Sequence, residues 1–163
     1  MSDASRQEVE NGLEELLPRL WRFAMSITRR HDAAEDLVQM TCVRALSQAD
    51  RYQPGTRLDR WSFTLMINLW RSHQRREGRS ISEDIELHEL SAPASQSPES
   101  VLFNRQVIQA IDSLPVEQRI IVTMVYGEGW TYREAAEVLS VPIGTVMSRL
   151  HAARKKLAHL SSK

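Results

Sequence analysis

The chain has 163 residues, of which 42% are hydrophobic, 26% charged and 6% aromatic; this balance fits one folded domain or two small ones and excludes a disordered chain. No apolar run approaches the roughly 18 residues a membrane span requires, and the opening MSDASRQEVENG is polar and acidic rather than a secretory leader. The one cysteine, Cys42, excludes an internal disulfide and fits a reducing compartment, so a cytoplasmic location is expected.

The first predicted helix lies in EELLPRLWRFAMSITRR, where Leu13, Leu16, Leu17, Leu20, Phe23, Ala24 and Ile27 share one face, and Pro18 is expected near its start. DAAEDLVQMTCVRAL follows, with Ala34, Leu37, Val38, Cys42, Ala45 and Leu46 predicted inward and Glu35, Asp36, Gln39 and Met40 outward. Asp32 is its predicted N-cap, with Glu35 completing a capping box. A loop, SQADRYQPGTRLD, turns at Pro54-Gly55.

The third predicted helix, RWSFTLMINLWRSHQRR, is apolar over most of Trp61 to Trp70 except for one stripe. Thr64, Asn68, Arg71, Ser72 and Arg75 recur on one face, polar at first and then basic. Flanked by Trp61, Trp70 and the loop arginines Arg57 and Arg60, that face suits a single strand of nucleic acid, with aromatics stacking on bases and arginines holding phosphates. The bland reading is that Trp61, Phe63 and Trp70 are simply core.

GRSISEDIELHELSAPASQSPES, residues 78–100, is rich in Ser, Pro and acids and reads as a flexible linker, with EDIELHEL as a possible turn of helix. It divides the chain into two segments, 1–77 and 101–163. Beyond it, VLFNRQVIQAIDSL is helical, Leu114-Pro115 breaks the pattern, and VEQRIIVTMVYGEGW resumes it until Gly127 to Gly129. TYREAAEVL opens on a capping box, Thr131 with Glu134. After the turn SVP comes GTVMSRLHAARKKL, with Val146, Leu150, Ala153 and Leu157 as its buried stripe and Gly144, Met147, Ser148, His151 and Lys155 opposite. This is the layout of a helix-turn-helix. Arg149, Arg154 and Lys156 lie on the flanks, where they suit phosphates.

The formal net charge is zero, but its distribution is uneven. Arg71, Arg75, Arg76 and Arg79 cluster around a single acid, Glu77, and from Val138 onward there is no acid at all. Two basic patches on a neutral chain point to two separate phosphate contacts; the alternative is a pair of solvated helix ends. Nothing points to an enzyme. There is no glycine-rich phosphate loop and no nucleophile motif, and His31, His73, His88, His151 and His159 are scattered, so neither a metal site nor a cofactor is expected.

DAAEDLVQMTCVRAL, RWSFTLMINLWRSHQRR and LPVEQRIIVTMVYGEGWTYREAAEVLSVPIGTVMSRLHAARKKL, in this order around a linker, resemble the extracytoplasmic-function group of bacterial sigma factors. The QPGTRLDRW loop resembles that of the alphaproteobacterial stress-response branch. The resemblance implies an all-α fold of two small helical domains, the second a four-helix domain with the helix-turn-helix. It implies that residues 1–77 bind core RNA polymerase and the minus-ten element, and that 101–163 bind the minus-thirty-five element of promoter DNA. Core docking, on the clamp helices of the largest polymerase subunit, falls to Asp36, Gln39 and Met40. The loop from Ala49 to Arg60 matches the family loop that captures a flipped base. Arg57, Arg60, Trp61, Asn68, Arg71, Arg75 and Arg76 are the minus-ten candidates, and Thr145, Met147, Ser148, Arg149, His151 and Lys155 the minus-thirty-five candidates. The linker matches the segment that threads the polymerase near the RNA path. An anti-sigma factor is an implied partner, and a small-molecule substrate is not.

The sequence departs from the family pattern at several positions. Met40 stands where an acid is common, Met147 where Lys or Arg is common, Ala152 where Arg is common, and Ser62 where leucine is common. Met147 and Ala152 leave room for a second reading, a sigma-like decoy that sequesters an anti-sigma factor without productive promoter binding. A third, a plain helix-turn-helix repressor, would have no use for DAAEDLVQ or the aromatic-basic helix.

Overall fold

The structure is a computed structural model that describes residues 3–77 and 98–161, all-helical throughout. The first unit is α1 (Asp3–Thr28), α2 (His31–Ser47), a 3-10 turn (Ala49–Arg51) and α3 (Leu58–Arg76). The second is α4 (Pro98–Asp112), α5 (Val116–Val122) running into a π turn (Thr123–Gly127), α6 (Tyr132–Leu139) and α7 (Ile143–Ser161). The linker reading runs three residues too far: α4 already begins at Pro98, whose fixed φ suits a first helical position. The EDIELHEL segment lies outside the described residues.

α1 is longer than its apolar run suggests. It starts at Asp3, so Pro18 sits mid-helix rather than in a first turn. Pro18 faces solvent, where the carbonyl its ring displaces can be hydrated, while a ridge of Val9, Leu13, Leu16, Leu20, Phe23 and Ile27 is buried on the other side. Leu17 beside it is 40% exposed, contrary to the predicted face. Gly12 lets Leu58 lie against the backbone of α1; a Cβ there would overlap the leucine.

The predicted cap of α2 is also corrected. Arg29, at φ 58°, turns the chain almost directly from α1 into α2, which leaves the N-cap position to Arg30, with no side-chain cap. Asp32 lies inside the helix, accepting from Arg30 at 3.0 Å, and Glu35 accepts from Gln39 at 3.5 Å instead of closing a box. The buried stripe of α2 is Ala34, Leu37, Thr41 and Ala45. Thr41 replaces Cys42 and Leu46 in that role because its hydroxyl donates to the Leu37 carbonyl at 2.7 Å, which satisfies it internally. Leu46 is 37% exposed.

The second unit matches its pattern closely. Thr131 accepts from the Glu134 N–H at 3.1 Å, and the Glu134 carboxylate accepts from the Thr131 N–H at 3.0 Å, so the capping box is complete. Ser140, at φ 54°, ends α6, and the Val141 N–H reaches back to the Ala136 carbonyl at 3.1 Å. Ala135 and Ala136 are buried where α6 meets its neighbours, and Val146, Leu150 and Ala153 of α7 are buried as predicted.

The two units pack on each other, α1 against α5 and α3 against α6. Phe63, fully buried, lies between Phe23 (ring centroids 4.6 Å apart) and Trp130 (4.9 Å, edge-on), so one apolar core runs through both units. The buried Arg119 of α5 donates to the Leu114 carbonyl at 2.8 Å, the Ile27 carbonyl at 3.0 Å and the Ser26 carbonyl. Ser26 and Ile27 belong to the last turn of α1, whose carbonyls have no helical partner, so α5 caps α1 across the unit boundary. Burial pulls the guanidinium down to about 10, because its neighbours are carbonyls and the cation Arg29 rather than a close carboxylate.

Candidate nucleic-acid interface

The loop before α3 is built around Tyr52. Its buried ring carries a hydroxyl 2.8 Å from the Thr56 carbonyl and 3.0 Å from the Glu8 carboxylate of α1, and the same carboxylate accepts from the Gly55 N–H at 3.2 Å. Gly55 takes φ +82°, which the turn requires and glycine supplies without strain. Trp61 packs tilted against the Tyr52 ring, centroids 5.3 Å apart, and forms one wall of a groove of about 400 Å³ lined by Thr56, Arg57, Arg60, Thr64, Glu137 and Val138.

Asp59 organises the arginines of this loop. Its carboxylate accepts from Arg57 Nε and Nη2, both at 2.9 Å, from Arg19 Nη2 at 3.0 Å and from the Arg60 N–H at 2.9 Å. Burial pushes the carboxyl up, but these hydrogen bonds outweigh it and hold Asp59 well below the usual carboxylate range. Arg19 is shared with Glu128 of the second unit at 2.7 Å. Nothing in the local pattern around Asp59 singles it out, because its partners come from α1 and from its own loop.

The seven minus-ten candidates do not form one open strip. Arg57, Arg60, Trp61 and Arg71 face α6: Arg60 pairs with Glu137 at 2.8 Å, Arg57 and Arg60 approach Glu134 at 3.6 and 3.7 Å, and Arg71 donates to the Leu139 carbonyl at 2.8 Å. Asn68 and Arg76 line a second groove, of about 360 Å³, between α2 and α3, with Met40 and Arg44 on its far side. Arg75 is exposed, with Ser72 at 3.4 Å. The core-docking candidates Asp36, Gln39 and Met40 share the solvent face of α2, and Val43, 68% exposed, continues it by one turn. Val43 went unread because a valine in a helix is ordinarily counted as core.

On α7, Met147, Ser148, His151 and Lys155 are exposed together and Thr145 is half-buried. Ile143, 46% exposed one turn before Met147, extends an apolar pair on that face. Arg149 pairs with Glu117 of α5 at 2.9 Å. Arg154 donates to the Tyr126 hydroxyl at 2.6 Å and the Tyr132 hydroxyl at 3.2 Å, with its guanidinium over the Tyr126 ring. Among the described residues no cluster of His, Cys, Asp or Glu could hold a metal ion, and no helix is long and apolar enough to cross a membrane.

One unit carries a basic, aromatic-flanked helix and the other an exposed helix-turn-helix face, in an all-helical pair. Comparison with known proteins identifies the class. The models for Sigma-70 region 2 and Sigma-70 region 4 match residues 13–80 and 104–157. The chain is 35% identical over 144 residues, 88% of its length and 80% of the relative's, to the ECF RNA polymerase sigma factor EcfG of Rhodopseudomonas palustris strain TIE-1. Its fold is similar to that of the sigma factor RpoE of Bartonella quintana, solved in complex with the anti-sigma factor NepR. In that comparison the TM-score is 0.79, the identity 28%, and the match covers 96% of this chain and 98% of that one. The fold alone is shared with CnrH, solved with the cytosolic domain of CnrY, at TM-score 0.63 and 22% identity over 98% of each chain. The chain belongs to the extracytoplasmic-function sigma factors. It is therefore a transcription initiation factor rather than an enzyme. The decoy reading is not favoured, since the relative that the chain covers over 80% of its length is a sigma factor.

Proposed function

We propose that this chain joins core RNA polymerase in the cytoplasm, recruits it to a dedicated class of promoters and opens the duplex there. Residues 1–77 form the polymerase-binding and strand-opening domain, 78–97 the connecting segment, and 98–163 the minus-thirty-five-reading domain. Asp36, Gln39 and Met40, with Val43, meet the clamp helices of the largest polymerase subunit: an acid-and-amide face suits basic partner side chains, and Met40 and Val43 add apolar area. Arg57, Arg60, Trp61, Asn68, Arg71, Arg75 and Arg76 hold the minus-ten strand, with guanidinium groups on phosphates and the groove beside Trp61 receiving an unstacked base once α6 has left it. Ser148 and His151 read base edges in the major groove, Met147 with Ile143 contacts thymine methyls, and Thr145 and Lys155 hold the backbone. Arg149 reaches phosphate only by leaving Glu117.

The observation that carries this reading is the exposed face of Met147, Ser148, His151 and Lys155 on α7, together with the arginines gathered beside Trp61 on the other unit, in a chain of this family. Control by an anti-sigma factor follows from the likeness to RpoE, which was solved with one bound. The test is an open-complex assay with core polymerase. DNase protection is expected upstream over the segment read by α7, and permanganate-reactive thymines near minus ten. Binding to core enzyme without either signal at any promoter would overturn the proposal.

A further inference from the structure

We infer that Glu8 of α1 is a positioning residue for base capture: its carboxylate fixes the loop and the tryptophan that together receive the unstacked base. The inference rests on the proposed role of the groove beside Trp61. Glu8 lies outside every set of residues assigned to DNA or polymerase, and it is 44 residues from Tyr52 and 47 from Gly55 in the chain.

Between the 3-10 turn that ends at Arg51 and the start of α3 at Leu58 the chain forms no regular element, and Tyr52 is its one buried residue. Glu8 ties this stretch to α1. Its Oε1 accepts from the Tyr52 hydroxyl at 3.0 Å and from the Gly55 N–H at 3.2 Å, and its Oε2 meets the same N–H at 3.3 Å. The next residue on α1, Val9, is fully buried, so the carboxylate stands on a packed seat. The Tyr52 hydroxyl also reaches the Thr56 carbonyl at 2.8 Å, and Thr56 Oγ1 donates to the Gln53 carbonyl at 2.6 Å, which closes the turn around Gly55.

Each of the two bonds to Glu8 leads to a wall of the groove. The Tyr52 ring packs against Trp61, and Gly55 precedes Thr56; Trp61 and Thr56 both line the groove. All of these groups belong to the first unit, so the anchor persists when α6 leaves. Walls fixed before binding reject a base whose shape or hydrogen bonds do not match, whereas walls free to move re-form around any base. Glu8 therefore acts on the choice of base. Affinity for the strand as a whole stays with the arginines.

The test is transcription with core polymerase and fragmented genomic DNA, with the 5′ ends of the transcripts sequenced, so that base preference is read at each position of the two upstream motifs. Wild type is expected to favour the captured base about tenfold over the next, and Glu8→Ala to lower that ratio to about twofold at this single position of the minus-ten motif. The minus-thirty-five motif should be unchanged. Glu8→Gln should behave as wild type, because its amide oxygen stands where Oε1 accepts both bonds. Tyr52→Phe keeps the ring against Trp61 but loses the hydroxyl; it should lose preference at the same position, and it decides the question if Glu8→Ala does not fold. The control, Glu10→Ala, removes a charge that pairs with the exposed Arg6 on the same helix and should match wild type. Preference retained in Glu8→Ala and Tyr52→Phe, or a loss spread over every position of both motifs, would overturn the inference and leave the strand-opening role standing. A one-position loss in Glu8→Gln would overturn it as well. Failure of the wild-type chain to give start sites of its own would overturn the proposed function, and the inference with it.

Discussion

Replacing Asp59 with asparagine tests how the loop arginines are held. The carboxylate is 12% exposed and accepts four hydrogen bonds, which fill its acceptor sites. Asparagine keeps the size but removes the charge and turns an NH2 group toward a guanidinium. Breaking one partner of a buried ion pair costs about 3–5 kcal/mol. Arg57 is half-exposed, and exposed pairs contribute only about 0–1 kcal/mol, so the expected loss at pH 7 is about 2–3 kcal/mol. For a chain of this length that corresponds to a fall in Tm of roughly 4–12 °C. The loss should also depend on pH. Asp59 is held below its unfolded pKa, so its stabilisation is fully present above about pH 4 and is lost as the pH falls through the unfolded value toward the lower folded one. Urea titrations followed by circular dichroism at pH 7 and pH 3 read both quantities. The gap between wild type and variant should narrow in acid. A gap under 0.5 kcal/mol at pH 7, or one that stays constant with pH, would refute the assignment of Asp59 as the anchor.

Ser62→Ala should stabilise the chain by about 1 kcal/mol in thermal unfolding, because the buried Ser62 hydroxyl finds no partner among the described residues and a methyl group removes that penalty. Met147→Arg should raise affinity for promoter DNA several-fold in a mobility-shift assay and steepen its salt dependence, since it adds a cation to the exposed face of α7; weaker binding would count against that face as the DNA side. Arg71→Ala with Arg75→Ala should abolish permanganate reactivity at the promoter while a pull-down with core polymerase is unchanged.

What the sequence reveals and what it hides divides along a physical line. The capping box of Thr131 and Glu134 and the buried stripe of Val146, Leu150 and Ala153 are legible because each depends on residues within one or two turns. The exposed face of Asp36, Gln39 and Met40 is legible for the same reason. The cap of α2 is misread because Asp32 and Glu35 carry the right spacing, yet Arg29 in a left-handed conformation leaves no residue of linker in which Asp32 could act as a cap. The contacts that pack the units together join residues far apart in the chain, Arg60 with Glu137, Arg71 with Leu139 and Arg119 with Ile27. No periodicity reports such pairs. The arginines of α3 read as open for DNA, whereas α6 holds several of them.

The central claim is that this chain directs RNA polymerase to start transcription at promoters it selects itself. The most direct measurement is transcription in vitro with purified core polymerase and fragmented genomic DNA, with the 5′ ends of the transcripts sequenced. The account predicts start sites that appear only when the chain is added and that share one pair of upstream motifs spaced for two contacts. Transcripts that do not depend on the chain, or start sites without a common motif pair, would contradict it.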